Sequence, residues 1–218
     1  MNSKKDEFII IKPKLIKGIE STYIKITDIE DEDSFENVCV SDCKIENQAA
    51  NHVSFERVIF KNIDFKDITL NSLELTDVRF ENCDLSNADF SGAIIHRTEF
   101  ISCKLMGLNL CNATLQNTYI KQCNGQFVLM RFVKMKKVIL EDSMFENSNF
   151  QDSNFTKVQF RKCNLKLSQM SGTSLFGIDL SDSNVEGLGI RLEDIKGAIV
   201  SPMQAVDFSK MLGLIIKS

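Results

Sequence analysis

The sequence predicts an all-β solenoid, in which the chain winds as a squared coil of four five-residue segments per turn. Three observations support this fold class. Apolar residues occupy 33 of the 34 positions spaced five apart from Phe35 to Val200, whereas the overall apolar fraction of 43% would give about 15 by chance. A second residue, mostly small or β-branched, lies two positions before these from Val53 to Thr173. Five cysteines are spaced by multiples of 20 residues.

The five-residue period determines the kind of repeat. It matches neither the 3.6 residues of an α-helix nor the two of a flat strand, so successive segments must form the faces of a coil. Asp or Asn often stands between the two inward residues, as at Asp89 and Asn149, where it favours the turns that bend the backbone. The cysteines on the 20-residue spacing are Cys43, Cys83, Cys103, Cys123 and Cys163. They share one face if four segments complete a turn.

Several segments match the pattern A-(D/N)-L-x-x closely. The matching segments are Ala88-Asp89-Phe90-Ser91-Gly92, Ser148-Asn149-Phe150 and Ser153-Asn154-Phe155. In this respect the chain resembles the pentapeptide-repeat family over about 165 residues. The resemblance implies a right-handed quadrilateral β-helix, which here would have four pentads per coil and about eight coils, followed by a short C-terminal helix.

The two ends depart from the pentad pattern, and a solenoid must cover its terminal hydrophobic faces. Residues 1–34 are expected to form an N-terminal cap, with Phe8 to Ile11 and Leu15, and an irregular first coil. Residues 35–200 form the repeat coil in this prediction. Residues 201–218 read as an N-cap at Ser201, a helix over 203–212, a terminator at Gly213 and a short strand over 214–216.

The C-terminal element has two possible roles, a cap alone or a cap that is also a dimer interface. Its apolar surface exceeds what one coil end needs, which favours the second role. The dimerisation candidates are Ala205, Phe208, Met211, Leu212, Leu214, Ile215 and Ile216.

Composition limits the function classes. The chain has 30 acidic and 26 basic residues and a net charge of −4, which argues against a direct grip on nucleic acid. No apolar run long enough to span a membrane and no signal peptide is visible, so we expect a cytoplasmic protein that does not bind membranes. The seven cysteines are then expected to be free thiols.

No catalytic or cofactor site is expected. A straight ladder of Cys83, Cys103 and Cys123 cannot supply the tetrahedral geometry of zinc, so these cysteines are predicted to pack in the core. The two histidines, His52 and His96, fall at outward positions, and no nucleophile–base pair or phosphate-binding loop is visible. The sequence therefore predicts a non-enzymatic protein with no cofactor and no metal.

The outward residues near the middle of the chain are the candidates for partner binding. Phe127 and Phe132 lie one pentad apart at positions that should face water, next to Arg131 and Lys134. Exposed aromatic residues with an arginine are typical of binding hot spots. The alternative is a local distortion at Gly125, where the apolar residue is missing, that turns Phe127 inward to fill the gap.

The tail resembles that of the quinolone-resistance (Qnr) branch of the family. The residues concerned are Gln204-Ala205 and Leu212-Gly213-Leu214-Ile215-Ile216, with Cys123-Asn124-Gly125-Gln126 as a second point of similarity. The pentad phase is unbroken, as in the loopless type. The resemblance implies a dimeric DNA mimic that binds DNA gyrase or topoisomerase IV, modulating supercoiling or protecting against quinolones. The alternative, favoured by the nearly neutral charge, is a scaffold of the wider family with another protein partner.

Overall fold

The computed structural model describes residues 8–21 and 23–215. The chain forms a β-solenoid in which residues 20 positions apart pair in parallel, as Phe80 does with Phe100. The same spacing continues to the single bridge between Asp179 and Ile199. The prediction of four pentads per turn is therefore confirmed.

Most of the regular structure is strand. The strands are β1 (Tyr23–Ile24), β2 (Ser34–Glu36), β3 (Cys39–Ser41), β4 (Ala49–Asn51), β5 (Ser54–Glu56), β6 (Ile59–Lys61), β7 (Thr69–Asn71), β8 (Glu74–Glu81), β9 (Ile94–Ile101), β10 (Thr114–Lys121), β11 (Lys134–Glu141) and β12 (Asn154–Arg161). Helix α1 (Pro202–Ser209) follows the coil, and short 3₁₀ turns lie at Ile19–Ser21 and Lys210–Leu212.

Each coil has four walls. In one representative coil the first wall is residues 114–116, the second 118–121, the third 123–125 and the fourth 128–130. The first and second walls join into the eight-residue strands from β8 onward. The third wall pairs through single bridges, as does the fourth wall beyond its one strand pair, β4 with β7. The same names apply to residues 20 positions away along the chain.

The large apolar residue of each pentad fills the interior. Phe60, Phe80 and Phe100 lie on successive coils, are at most 2% exposed, and stack with ring centroids 4.8 Å apart. Burial of each such side chain favours folding by roughly 1.5–3 kcal/mol. Because every coil repeats this contact, the solenoid carries one continuous core from Ile26 to Ile190.

The small inward residues hold the coils together by hydrogen bonds inside the core. Cys83, Cys103 and Cys123 stack on the third wall as predicted, and the Cys103 amide donates to the Cys123 sulfur at 3.4 Å. The hydroxyl of Ser153 donates to the Met130 carbonyl, 23 residues earlier, at 2.8 Å. All seven cysteines are free thiols, and burial raises the pKa of Cys163 to about 12. These thiols therefore serve packing.

Turns at the corners follow from Asp and Asn. The Asp89 carboxylate accepts the Ser91 amide at 2.8 Å, closing the predicted turn. One residue per corner then has a left-handed backbone, such as Asn82 with φ 54°. Asparagine tolerates this conformation, but most other residues lose roughly 1–2 kcal/mol in it.

The part of the N-terminal segment that the structure describes does not cover the end of the coil, where we expected a cap. It runs lengthwise along the second wall as an N-terminal strap (residues 8–16). The Ile11 amide donates to Asn117 at 3.2 Å, and the Lys14 amide donates to Asp77 at 2.8 Å. These two acceptors are 40 residues apart in the sequence, so the step from Ile11 to Lys14 in the strap spans two coils of the solenoid.

The strap follows the second wall because an apolar patch lies on the outside of that wall. Cys39 and Ile59 point outward there, yet they are buried together with Ile19, and Leu15 packs against them. The irregular first coil is closed by Ile26 and Ile29, which belong to the main core. In this coil Tyr23 pairs with Cys39, a separation of only 16 residues.

A C-terminal helix is present, but α1 spans Pro202–Ser209 and the remainder of the predicted 203–212 segment is the 3₁₀ turn Lys210–Leu212. Ser201 caps α1 through the Gln204 amide, and Gly213 ends the following 3₁₀ turn with φ 74°. The predicted strand over 214–216 is wrong for its described part, because Leu214 and Ile215 have no strand beside them after α1 has left the coil. Ile216 lies outside the described residues.

Candidate partner-binding surface

Phe127 and Phe132 occupy corners of the coil and face outward. Their side chains are 54% and 46% exposed, and both have a left-handed backbone with φ near 60°. The alternative in which Phe127 turns inward is wrong. A Cβ atom at Gly125 would lie 2.7 Å from the Phe145 ring, because that ring from the next coil already fills the gap.

A third apolar residue joins the two phenylalanines. Leu129 is 40% exposed on the fourth wall between them, where it bridges Asn109 and Asn149 of the neighbouring coils. We call Phe127, Leu129 and Phe132 the apolar rib. It crosses one wall of a single coil, and its central residue Leu129 lies between the amide side chains of Asn109 and Asn149.

Cations follow the apolar rib around the next corner. The basic cluster consists of Arg131, Lys134, Lys136 and Lys137, of which the first three are exposed. The Arg131 guanidinium lies over the Phe132 ring, 5.0 Å from its centroid. Within the described residues, no carboxylate forms an ion pair with any of the four.

The neighbours of Lys134 and Lys136 on the first wall are uncharged. Lys134 lies between Thr114 and Asn154 on the first wall, and Lys136 lies between Gln116 and Thr156. Residues 100–140 contain no Asp or Glu at all. Two consecutive coils therefore form a positively charged band in a chain whose net charge is negative.

Elsewhere on the walls, charges of opposite sign alternate from coil to coil. Glu141 is an example, because it accepts from Lys121 at 2.8 Å and from Arg161 at 3.3 Å. The hydrogen bond and charge of Lys121 hold the pKa of Glu141 below its ordinary value. Such ladders neutralise the charges that take part in them, whereas the basic cluster has no such partners among the described residues.

The first coils carry the excess negative charge. Residues 23–100 contain 17 acidic and seven basic residues. Asp28, Glu30 and Asp31 are exposed in the first coil and form no ion pair with any described residue. One end of the solenoid is thus acidic, and the middle is basic.

The dimerisation candidates divide into two groups. Phe208 is half-buried and packs against the core, and the buried Gln204 donates to the carbonyls of Leu180 and Ser183 at 2.8 and 2.7 Å. This contact closes the last coil. The candidates that remain exposed are Ala205, Met211, Leu212, Leu214 and Ile215.

Sequence reasoning missed the buried ionic contact between Asp77 and Arg97. Asp77 is 3% exposed and receives two hydrogen bonds of 2.6 Å from Arg97 in addition to the Lys14 amide. His96 lies beside Arg97, and burial lowers its pKa. The only hint in the sequence was the apolar Ile59 at an outward position, which needs cover.

Across residues 8–21 and 23–215, no group of three His, Cys, Asp or Glu side chains is placed to hold a metal ion. None of the helices in that part of the chain has the length and apolar character needed to cross a bilayer.

Comparison with known proteins places these features in a family. Two related family models match the chain, the pentapeptide repeat region over residues 73–143 and 93–175 and the pentapeptide repeats (8 copies) over 51–87. A search of curated protein sequences finds no significant match.

Solved structures with the same fold include QnrB1, described as a plasmid-mediated fluoroquinolone resistance protein. A trypsin-treated variant of QnrB1 is 19% identical, with a TM-score of 0.52, and the alignment covers 90% of this chain and 100% of that one. HetL, from the cyanobacterium Nostoc sp. strain PCC 7120, is 17% identical with a TM-score of 0.43, and the coverage is 82% and 84%. At these identities the likeness concerns the fold. With its repeats matched across residues 51–175 and its four-pentad coil, the chain belongs to the pentapeptide-repeat family.

Proposed function

We propose that this chain is a cytoplasmic, Qnr-like protein without enzymatic activity, which binds a type II topoisomerase as a mimic of DNA. The targets in this proposal are DNA gyrase and topoisomerase IV. Binding would modulate supercoiling, protect the enzyme against quinolones, or both. The resemblance of the tail to the Qnr branch and the shared fold with QnrB1 support the proposal.

The observation that carries the proposal is the C-terminal element. Gln204 and Phe208 are sufficient to close the last coil, yet Leu212, Leu214 and Ile215 remain exposed beyond it. Residues 201–218 would therefore be both a cap and a dimerisation element. Two copies of the solenoid formed by residues 35–200 would then join end to end. The dimer would be a rod long enough to occupy a DNA-binding saddle.

The charge distribution supports binding through the coils near the N-terminus. In residues 23–100 acidic side chains exceed basic ones by 17 to seven, and successive coils repeat about every 4.8 Å. A cationic site built for DNA attracts such a surface. Dimerisation at the C-terminus would place the two acidic ends at opposite extremities of the rod.

A gyrase supercoiling assay tests the proposal. The protein is added at micromolar concentration, with and without a fluoroquinolone, and both supercoiling and drug-induced DNA cleavage are measured. We expect inhibition of supercoiling or a reduction of cleavage. No change in either readout, for gyrase and for topoisomerase IV, would contradict the proposal.

The second candidate function is a scaffold that binds a different protein. It is favoured by the ion-pair ladders, such as Lys121–Glu141–Arg161, which leave much of the surface neutral. If the topoisomerase assays are negative while the protein remains folded and dimeric, this function becomes the better account.

A further inference from the structure

The apolar rib has no structural purpose within the coil. Phe127 and Phe132 stand at corners where the backbone is left-handed, a conformation that disfavours bulky residues. Neither side chain contributes to the core, since each is about half exposed. Residues that keep an unfavourable backbone without a packing benefit indicate a functional constraint.

The basic cluster is continuous with the apolar rib. Arg131 belongs to both, because its guanidinium covers the Phe132 ring. Lys134 and Lys136 follow on the first wall, with uncharged partners in the coils on either side. The surface thus offers aromatic area and unpaired positive charge within one coil. Its partner must bring negative charge and apolar side chains over a similarly short distance.

The size of the basic cluster decides between partner classes. Tight binding of a nucleic acid uses on the order of 6–10 phosphate contacts, but the cluster has four cations. A longer polyanion would also meet the exposed carboxylates of Asp142 and Asp152 on the next coil. A short acidic peptide segment with an apolar anchor avoids both problems, because its charge ends where the basic band ends.

We propose that the apolar rib and the basic cluster form a docking site for a short acidic segment of a partner protein. An apolar side chain of that segment packs on Phe127, Leu129 and Phe132. Its carboxylates pair with Arg131, Lys134 and Lys136. Charge complementarity selects the segment, and the rib sets its register. The proposal does not depend on topoisomerase binding.

Fluorescence anisotropy with synthetic probes tests the proposal on the full-length protein. The acidic probe is a fluorescein-labelled ten-residue peptide that combines Glu and Asp with Leu and Phe. A second peptide carries Gln in place of every acidic residue, and oligo-dT and a short DNA duplex represent nucleic acids. We expect saturable binding of the acidic peptide that weakens as salt is raised, and at least tenfold weaker binding of the Gln peptide.

Two double variants separate the contributions. Phe127→Asn with Phe132→Asn removes the two aromatic rings of the rib and introduces a residue that accepts the left-handed backbone. Lys134→Gln with Lys136→Gln removes two cations. Each double variant is expected to weaken binding of the acidic peptide roughly tenfold, in the range of a hot-spot truncation. The control is Lys162→Gln, an exposed cation at the opposite corner of the coil, which should leave binding unchanged.

Several results would overturn the proposal. They are an absence of saturable peptide binding, equal binding by both double variants and the wild type, and tighter binding of oligo-dT or duplex than of the acidic peptide. The last result would identify the surface as a nucleic-acid site. Thermal unfolding of every variant shows that the protein tested is folded.

Discussion

The residue at each corner of the coil shows how one position carries both geometry and function. Its backbone is left-handed, and asparagine, aspartate and glycine are frequent there because they tolerate that conformation. Three apolar residues also occupy it in the described chain: Phe127, Phe132 and Leu167. At these corners the side chain was not selected for backbone geometry, so its chemistry toward solvent is the remaining explanation.

We predict that Phe127→Asn does not destabilise the protein. The substitution loses a half-exposed contact but relieves the left-handed backbone of a bulky residue, a gain of roughly 1 kcal/mol. The free energy of unfolding should therefore stay within about 0.5 kcal/mol of the wild type or rise. Urea denaturation, followed by circular dichroism, measures it.

The matched control is Phe155→Asn, on an inward position that packs against the core. The free energy of unfolding of this control should fall by about 3 kcal/mol or more, because a polar amide replaces an aromatic ring that packs on the core. Equal losses in both variants would show that Phe127 has a packing role after all.

At this scale the sequence predicted which way most side chains point. The register placed Phe127 and Phe132 outward, and the structure agrees. The register could not decide whether Phe127 would turn in toward Gly125, because the answer lies with Phe145, a ring 20 residues farther along that fills the space. The direction of the Phe127 side chain therefore depends on a contact between coils, which the register alone does not give.

At the scale of elements, the N-terminal strap is the part of the structure that departs most from the repeat. Its backbone is tied to the coil by two side chains, Asn117 and Asp77, which are each 3% exposed. Asp77 is also paired with Arg97. Burial alone would raise the pKa of Asp77, but the hydrogen bonds from Arg97 and the Lys14 amide hold it below its ordinary value.

We predict that Asp77→Asn loosens the N-terminal strap without unwinding the coil. Asparagine keeps the shape and the left-handed backbone but leaves the Arg97 charge without its partner, at a cost of roughly 1–2 kcal/mol. Hydrogen exchange at the Lys14 amide should become about 5- to 30-fold faster. Amides of the core strands β9 and β10 should keep their protection.

The effect of Asp77→Asn depends on pH in a defined direction. Because the folded pKa of Asp77 is lowered, the ionised carboxylate stabilises the strap at every pH above about 4, the ordinary pKa of Asp. This stabilisation is lost as the pH falls through the lower, folded value, and the wild type then approaches the variant. The control is Asp67→Asn, an exposed corner residue without an ion pair. Equally fast exchange in the control would contradict the assigned role.

The strap could not be predicted from the sequence, whereas the coil could. The coil follows from a period that every pentad repeats, so each segment gives independent support. The strap depends on contacts that are distant in the sequence, 106 positions for Ile11 with Asn117 and 63 for Lys14 with Asp77. Its apolar residues are equally consistent with a cap. Ile59 at an outward position was the one local sign, and a single outward apolar residue is ordinary on protein surfaces.

For the whole molecule, charge is arranged along the axis of the solenoid. Residues 23–100 carry a net charge of −10, residues 100–140 carry only cations, and the coils beyond contain both signs. The net charge of the whole chain, −4, does not reveal this distribution. It allows one rod to present an acidic surface to one partner and a basic, aromatic surface to another. The proposed topoisomerase contact and the proposed peptide site therefore lie on different coils and are compatible.

The last prediction concerns assembly. Leu212 and Ile215 are 62% and 92% exposed beyond the closed last coil, so we expect them to be buried between two copies of the chain. Replacing both with Glu would place like charges in that interface, which two apolar patches cannot accommodate. Light scattering should then show the mass of a monomer, 24.7 kDa, where the wild type has twice that value.

The control for Leu212→Glu with Ile215→Glu is Ile94→Glu, a 53% exposed apolar residue on the first wall, far from the tail. It adds a carboxylate to an equally exposed position and should leave the dimer intact. Since the substituted tail residues lie outside the core, the coil should keep its unfolding midpoint in both variants. A monomeric wild type, or a dimer that survives both tail substitutions, would show that the C-terminal element is a cap alone. A gyrase effect that persists in a monomeric variant would separate target binding from assembly, because the acidic coils of residues 23–100 would then suffice for the contact.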